Sequence, residues 1–204
     1  MPRRNSSRAE QVRIALAQEA ARIMAEHGIE DFLFAKRKAA ERLGVVDAAV
    51  LPKNTEIEQA LVEYQRLFDA DDHPRTLERQ RRAALATMSL LSDFDPRLVG
   101  PVLSGTATPH NDISLHLFAD RPESVAIKLL EHGIPHDVIE RRLRMDADRV
   151  VSYPGVRFQA GEHAIEAMVF PRDGIRQSPY SPVDGRPMRR ADRDELEALV
   201  DEES

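Results

Sequence analysis

Apolar residues recur at helical spacing through the first ninety residues of the chain. Val12, Leu16, Ala20, Ile23 and Met24 follow the 3.6-residue period with His27 on the same line, and Gly28 is placed to stop the helix. Ser7-Arg8-Ala9-Glu10 has the spacing of a capping box at its start. A second helix is expected over residues 31–43 and ends at Gly44. After the Leu51-Pro52 break, Thr55-x-x-Glu58 offers another capping box, and Ile57, Leu61, Tyr64, Leu67 and Phe68 share one face of a third helix. Pro74 suits the first turn of a fourth, whose Leu77, Ala84, Met88 and Leu91 face inward.

The pattern changes at Pro96. Residues 98–103 and 112–118 read as strands, and residues 122–131 as a helix stopped by Gly133. Residues 138–145 suggest a further strand. Residues 150–153, 156–158 and 164–170 predict a meander that turns near Ala160-Gly161. Residues 171–190 contain Pro171, Gly174, Pro179, Pro182, Gly185 and Pro187, the composition of a loop, and a last helix is expected over 192–200. The pattern predicts an α+β protein, with a helical region over residues 1–92 and a small mixed β-sheet domain over residues 93–204.

Composition narrows the function classes. With 42% hydrophobic and 31% charged residues, the chain of 204 residues has the balance of an ordinary soluble globular protein. It has no cysteine, which excludes a disulfide framework and thiolate zinc sites. No apolar run approaches the 18 or so residues of a membrane span, and the opening Met-Pro-Arg-Arg-Asn lacks the apolar run of a signal peptide, so a cytoplasmic protein with no membrane partner is expected. The net charge of −6 speaks against general nucleic-acid affinity, although residues 1–45 carry nine Lys or Arg against six Asp or Glu.

The richest chemistry lies between Gly100 and Phe118. A loop with Gly100, Gly105 and Thr106 runs into an alternating segment on which Asp112, Ser114 and His116 point one way and Ile113, Leu115 and Leu117 the other. Gly100 precedes Asp112 by twelve residues and Gly105 precedes it by seven. This stretch resembles the signature of the DNA polymerase β-like nucleotidyltransferase superfamily, a Gly-Ser turn followed by Asp-apolar-Asp on a strand. The sequence departs from the signature at Pro101, where the family has Ser, and at Ser114, where it has the second Asp.

The resemblance implies a nucleoside triphosphate bound with Mg²⁺ at Asp112 and Glu166, the latter standing for the family's third carboxylate on a neighbouring strand, with Glu162 as second choice. Gly100, Gly105, Thr106 and Ser114 would lie near the nucleotide, and His116, on the face of Asp112, would replace a missing ligand or act as an acid or base. If active, such a protein would move a nucleoside monophosphate to an acceptor on a protein, an RNA end or a small molecule. With Ser114 in place of a carboxylate, the site would hold roughly one Mg²⁺ rather than two. The competing reading is a non-catalytic scaffold or regulatory protein that uses the same fold to bind a partner.

A third, less favoured reading is DNA binding. Residues 22–29 and 38–45 look like the start of a TetR-type helix-turn-helix, but Asp47-Ala48-Ala49-Val50-Leu51-Pro52 stands where that family needs its third helix. His132 and His136 have i, i+4 spacing but are separated by Gly133 and Pro135, which argues against a shared metal. Arg172, Arg176, Arg186, Arg189 and Arg190 flank the Glu166 strand, as phosphate clamps or as partners of the acidic C-terminus. Ser6 and Ser104 have no His/Asp pattern that would make either a nucleophile.

Overall fold

A computed structural model describes residues 3–202. The elements run α1 (Arg3–His27), α2 (Phe32–Leu43), α3 (Asn54–Phe68), α4 (Asp72–Leu90), β1 (Arg97–Val99), α5 (Pro101–Ser104), β2 (Ile113–Phe118), α6 (Glu123–Glu131), β3 (His136–Arg144), β4 (Val150–Ala160), β5 (His163–Phe170) and α7 (Arg193–Glu202). It is an α+β fold. No described helix is long and apolar enough to cross a membrane.

The chain forms two compact units. One is built on residues up to 74 with 108–110 and 182–184, and the other on 75–107, 111–181 and everything from 185. The division falls before most of α4 rather than at residue 92. The helix that sequence reading groups with the N-terminal region therefore belongs mainly to the sheet unit.

In the first unit α1 packs against α2 and α3 through Leu16, Ala20 and Ile23, Ala35 and Ala39, and Ile57 and Leu61. The Asp31 carboxylate caps α2 by accepting from the Phe34 amide at 2.9 Å, and the Gly44 amide closes its other end onto the Ala40 and Glu41 carbonyls. Two sequence expectations are corrected here, and the capping box at Ser7 rests on a side chain outside the described ones. The capping carboxylate of α3 is Glu56, which accepts from the Lys53 amide at 2.6 Å, not Glu58. Leu67 and Phe68, on the period of the α3 core face, are 68% and 70% exposed. No helix follows the turn at Gly44 directly: a short 3-10 turn at Ala48–Val50 intervenes, and α3 is acidic, so the helix-turn-helix geometry is not formed.

The second unit is a five-stranded sheet in the order β1-β2-β5-β4-β3, antiparallel except for the β2 and β5 pair. Ile113, Leu115 and Leu117 of β2, Ile165, Ala167 and Val169 of β5 and Val156 and Phe158 of β4 make one buried face. It is covered by Leu77, Ala84 and Met88 of α4, Val125 and Leu129 of α6 and Leu196 of α7. Alternation then fixes the other face. Two rows of paired residues cross it: Arg97, His116, Met168, Gly155 and Ile139, and beside them Val99, Ser114, Glu166, Arg157 and Asp137. Phe118, Met168 and Phe170 form a small apolar cluster at one end of this face.

The expected strand over 98–103 is also corrected. β1 stops at Val99, Gly100 takes a positive φ of 74°, and Pro101, whose fixed φ suits a first helical position, opens the short α5. Beyond β1 the sheet is continued by Ala191, which exchanges two backbone hydrogen bonds with Leu98 at 2.8 and 3.0 Å.

Candidate functional site

Asp112 sits one residue ahead of β2, not on it as expected, and Glu166 lies on β5 level with Ser114. The two carboxylates are engaged by arginines from β4 and β3. Arg157 donates to both oxygens of Asp112, from Nε at 2.7 Å and from Nη2 at 3.1 Å. Arg141 does the same for Glu166, at 3.2 and 2.6 Å. Each guanidinium is held above its ordinary pKa, first by its hydrogen bond to the partner carboxylate and then by that carboxylate's charge. Sequence reading found the carboxylates and missed both arginines.

Ser114 is half-buried, and a Cβ at Gly100 would stand 3.8 Å from its Cβ and its Oγ. Gly100 is thus the loop residue that meets the carboxylate face. Its carbonyl accepts from the Leu103 and Ser104 amides at 3.1 and 3.0 Å. Gly105 and Thr106 close the turn by donating backbone N–H to the Pro101 carbonyl at 2.9 and 3.0 Å, and the Thr106 hydroxyl, buried, is 3.0 Å from that of Ser104. Arg81 of α4, only 3% exposed, supports this turn from beneath through the Val102 carbonyl at 3.2 Å. Its place between Leu77 and Ala84 on the buried helix face was the signal available in the sequence.

His116 is 3% exposed, and its ring packs against Phe170 at 4.6 Å between centroids. Burial, and then the Arg190 cation, push its pKa down to about 3. Nδ1 accepts from Arg190 Nε at 3.0 Å, which places the ring proton on Nε2. Buried and accepting from Arg190, the ring is placed as a structural acceptor in this geometry. Arg190 also donates to the Gly174 and Ile175 carbonyls at 2.9 and 3.2 Å and lies over Phe118 and Phe170. It pins the segment after β5 to the sheet.

The other candidates stay apart from this face. Glu162, at the turn before β5, pairs at 3.7 Å with Arg79 of α4. His132 and His136 each bond a local carbonyl, of Lys128 and Ile134. Arg172 pairs with Asp120, and Arg189 with Glu195 of α7. Among the described residues no three His, Asp or Glu side chains gather to hold a metal ion. The donor set at Asp112 and Glu166 does not fit Mg²⁺: four carboxylate oxygens already face guanidinium nitrogens, and Ser114 brings no charge.

No protein-family model, curated protein or solved structure matches this chain. The site must therefore be read from its own geometry. That geometry is a polar patch on the sheet face opposite the core, made of crossed arginine and carboxylate pairs, bordered by the Gly100 turn and by the buried His116 and Arg190 pair.

Proposed function

We propose that this chain is a nucleotidyltransferase-like protein in which arginines occupy the place of divalent cations, and that it works as a non-catalytic binding or regulatory protein. The likeness is supported by the antiparallel β1 and β2 pair, by the approach of Gly100 to Ser114, and by the carboxylate of β5 standing beside β2. The observation that carries the non-catalytic reading is the double engagement of both carboxylates, Asp112 by Arg157 and Glu166 by Arg141. Two-metal transfer requires carboxylates free to bridge the metals, whereas a carboxylate in a bidentate arginine pair is already neutralised.

Isothermal titration with each nucleoside triphosphate and Mg²⁺, together with an assay for pyrophosphate release, tests this reading. The expected result is no Mg²⁺-dependent nucleotide binding and no pyrophosphate. Mg²⁺-dependent binding abolished by Asp112→Ala, with pyrophosphate released by the wild type, overturns it in favour of an active transferase.

A further inference from the structure

Two arginines on the same sheet face have no carboxylate at all. Arg97 on β1 donates from Nη1 to the carbonyls of its neighbours Asp95 and Pro96, at 3.2 and 3.0 Å. Arg190 donates to His116 Nδ1 and to the Gly174 and Ile175 carbonyls, and its Nη2 is buried with no acceptor. No ion pair involves either among the described residues, in contrast to Arg141 and Arg157 beside them.

The backbone brings the two together. Leu98 and Ala191 are bonded partners on adjacent chain segments, so Arg97 and Arg190 each lie one residue from that bridge. Arg97 is also the cross-strand partner of His116, the residue that Arg190 grips. The two cations are close enough for Arg97, after burial, to help hold Arg190 down at about 10. His116, neutral, relieves none of this charge.

Uncompensated like charges on a partly desolvated surface are unfavourable alone and favourable around an anion. Guanidinium forks match tetrahedral oxyanions through paired N–H donors, while aromatic and apolar surroundings strengthen the attraction.

We propose that Arg97 and Arg190, braced by His116, form a metal-independent site for a phosphate-class oxyanion, free or as a phosphate ester. The site stands whether or not the chain transfers nucleotides, because neither arginine touches Asp112 or Glu166.

The test is thermal unfolding of the full chain in EDTA at constant ionic strength, titrated with inorganic phosphate, with ATP, and with chloride as reference. Arg97→Gln carries the decision, since Arg97 bonds only to adjacent carbonyls and its loss leaves the strap at Arg190 in place. Arg79→Gln, on exposed α4 surface, is the control. The expected result is a saturable rise in Tm with phosphate that Arg97→Gln weakens about tenfold or more, as for the loss of one charge-assisted contact, and that Arg79→Gln leaves unchanged. A stronger effect of ATP with the same Arg97 dependence identifies the ligand as a phosphate ester, and phosphate binding without ATP binding identifies a free oxyanion. A response no greater than that to chloride, or equal in wild type and Arg97→Gln, overturns the site. Because Mg²⁺ is excluded throughout, this result is separable from the transferase question.

Discussion

Ser114 and Glu166 are Cα partners across the parallel β2 and β5 ladder. A carboxylate introduced at 114 would therefore stand beside Glu166 and two residues from Asp112. The double variant Ser114→Asp with Arg157→Gln, which also frees Asp112, is expected to gain a weak Mg²⁺ or Mn²⁺ site of about millimolar affinity, as three clustered carboxylates provide. Ser114→Asp alone should bind less, because Arg157 still holds Asp112. Mn²⁺ paramagnetic resonance reads both, and a double variant that binds no better than wild type would show that the face cannot present its carboxylates to a cation.

The buried neutral imidazole of His116 makes stability depend on acid. Its folded pKa, about 3, lies below the ordinary histidine value of 6.5, so the unfolded chain takes up the proton first as pH falls. The contribution is complete above about pH 6.5 and is lost progressively toward pH 3, with a slope of at most about 1.4 kcal/mol per pH unit. His116→Asn keeps an acceptor for Arg190 and has no proton to gain. Urea unfolding from pH 7 to pH 4 should show this slope in the wild type and a shallower one in the variant.

Gly155 occupies the middle of β4, level with Met168. A Cβ there would stand 2.7 Å from the Ala167 carbonyl oxygen and 2.8 Å from the Met168 sulfur, and the backbone atom cannot move aside cheaply. Gly155→Ala is expected to lower unfolding free energy by about 2 kcal/mol, in the range of overpacked cores. Chemical denaturation measures it, and an unchanged midpoint would mean that β4 shifts without penalty.

Leu67→Ser with Phe68→Ser tests the surface at the end of α3. Both side chains are largely exposed, so the double variant should change stability by no more than about 0.5 kcal/mol per site. A loss of several kcal/mol in thermal or urea unfolding would place them in a buried environment.

Those two residues also show what sequence can and cannot tell. Period 3.6 identified the face of α3 correctly at Ile57 and Leu61, yet periodicity says nothing about how far a neighbouring helix extends along that face. Alternation over 113–117 and 165–169 revealed the buried side of the sheet, and with it the side that carries Ser114, His116 and Glu166. The apolar Val102 and Leu103 suggested a longer first strand, where Gly100-Pro101 was the stronger turn signal. The Arg157 and Asp112 pair was not legible, because 45 residues separate its members and their meeting depends on β5 lying between β2 and β4. The neutrality of His116 was hidden for the same reason: its cover, Phe170 and Arg190, arrives from distant segments.

The sheet consists of two locally closed pieces, the β1 and β2 pair and the β3, β4 and β5 meander, joined only at the parallel ladder. Among the ladders between the five strands that seam closes the longest loop, which makes it entropically the most demanding of them to form. Asp112 and Ser114 lie on one side of it, and Glu166, Arg157 and Arg141 on the other. The Arg141 and Glu166 pair needs only the meander, whereas the Arg157 and Asp112 pair exists only once the seam has closed, so a chain with both pieces formed and the seam open holds one of the two ion pairs and not the other.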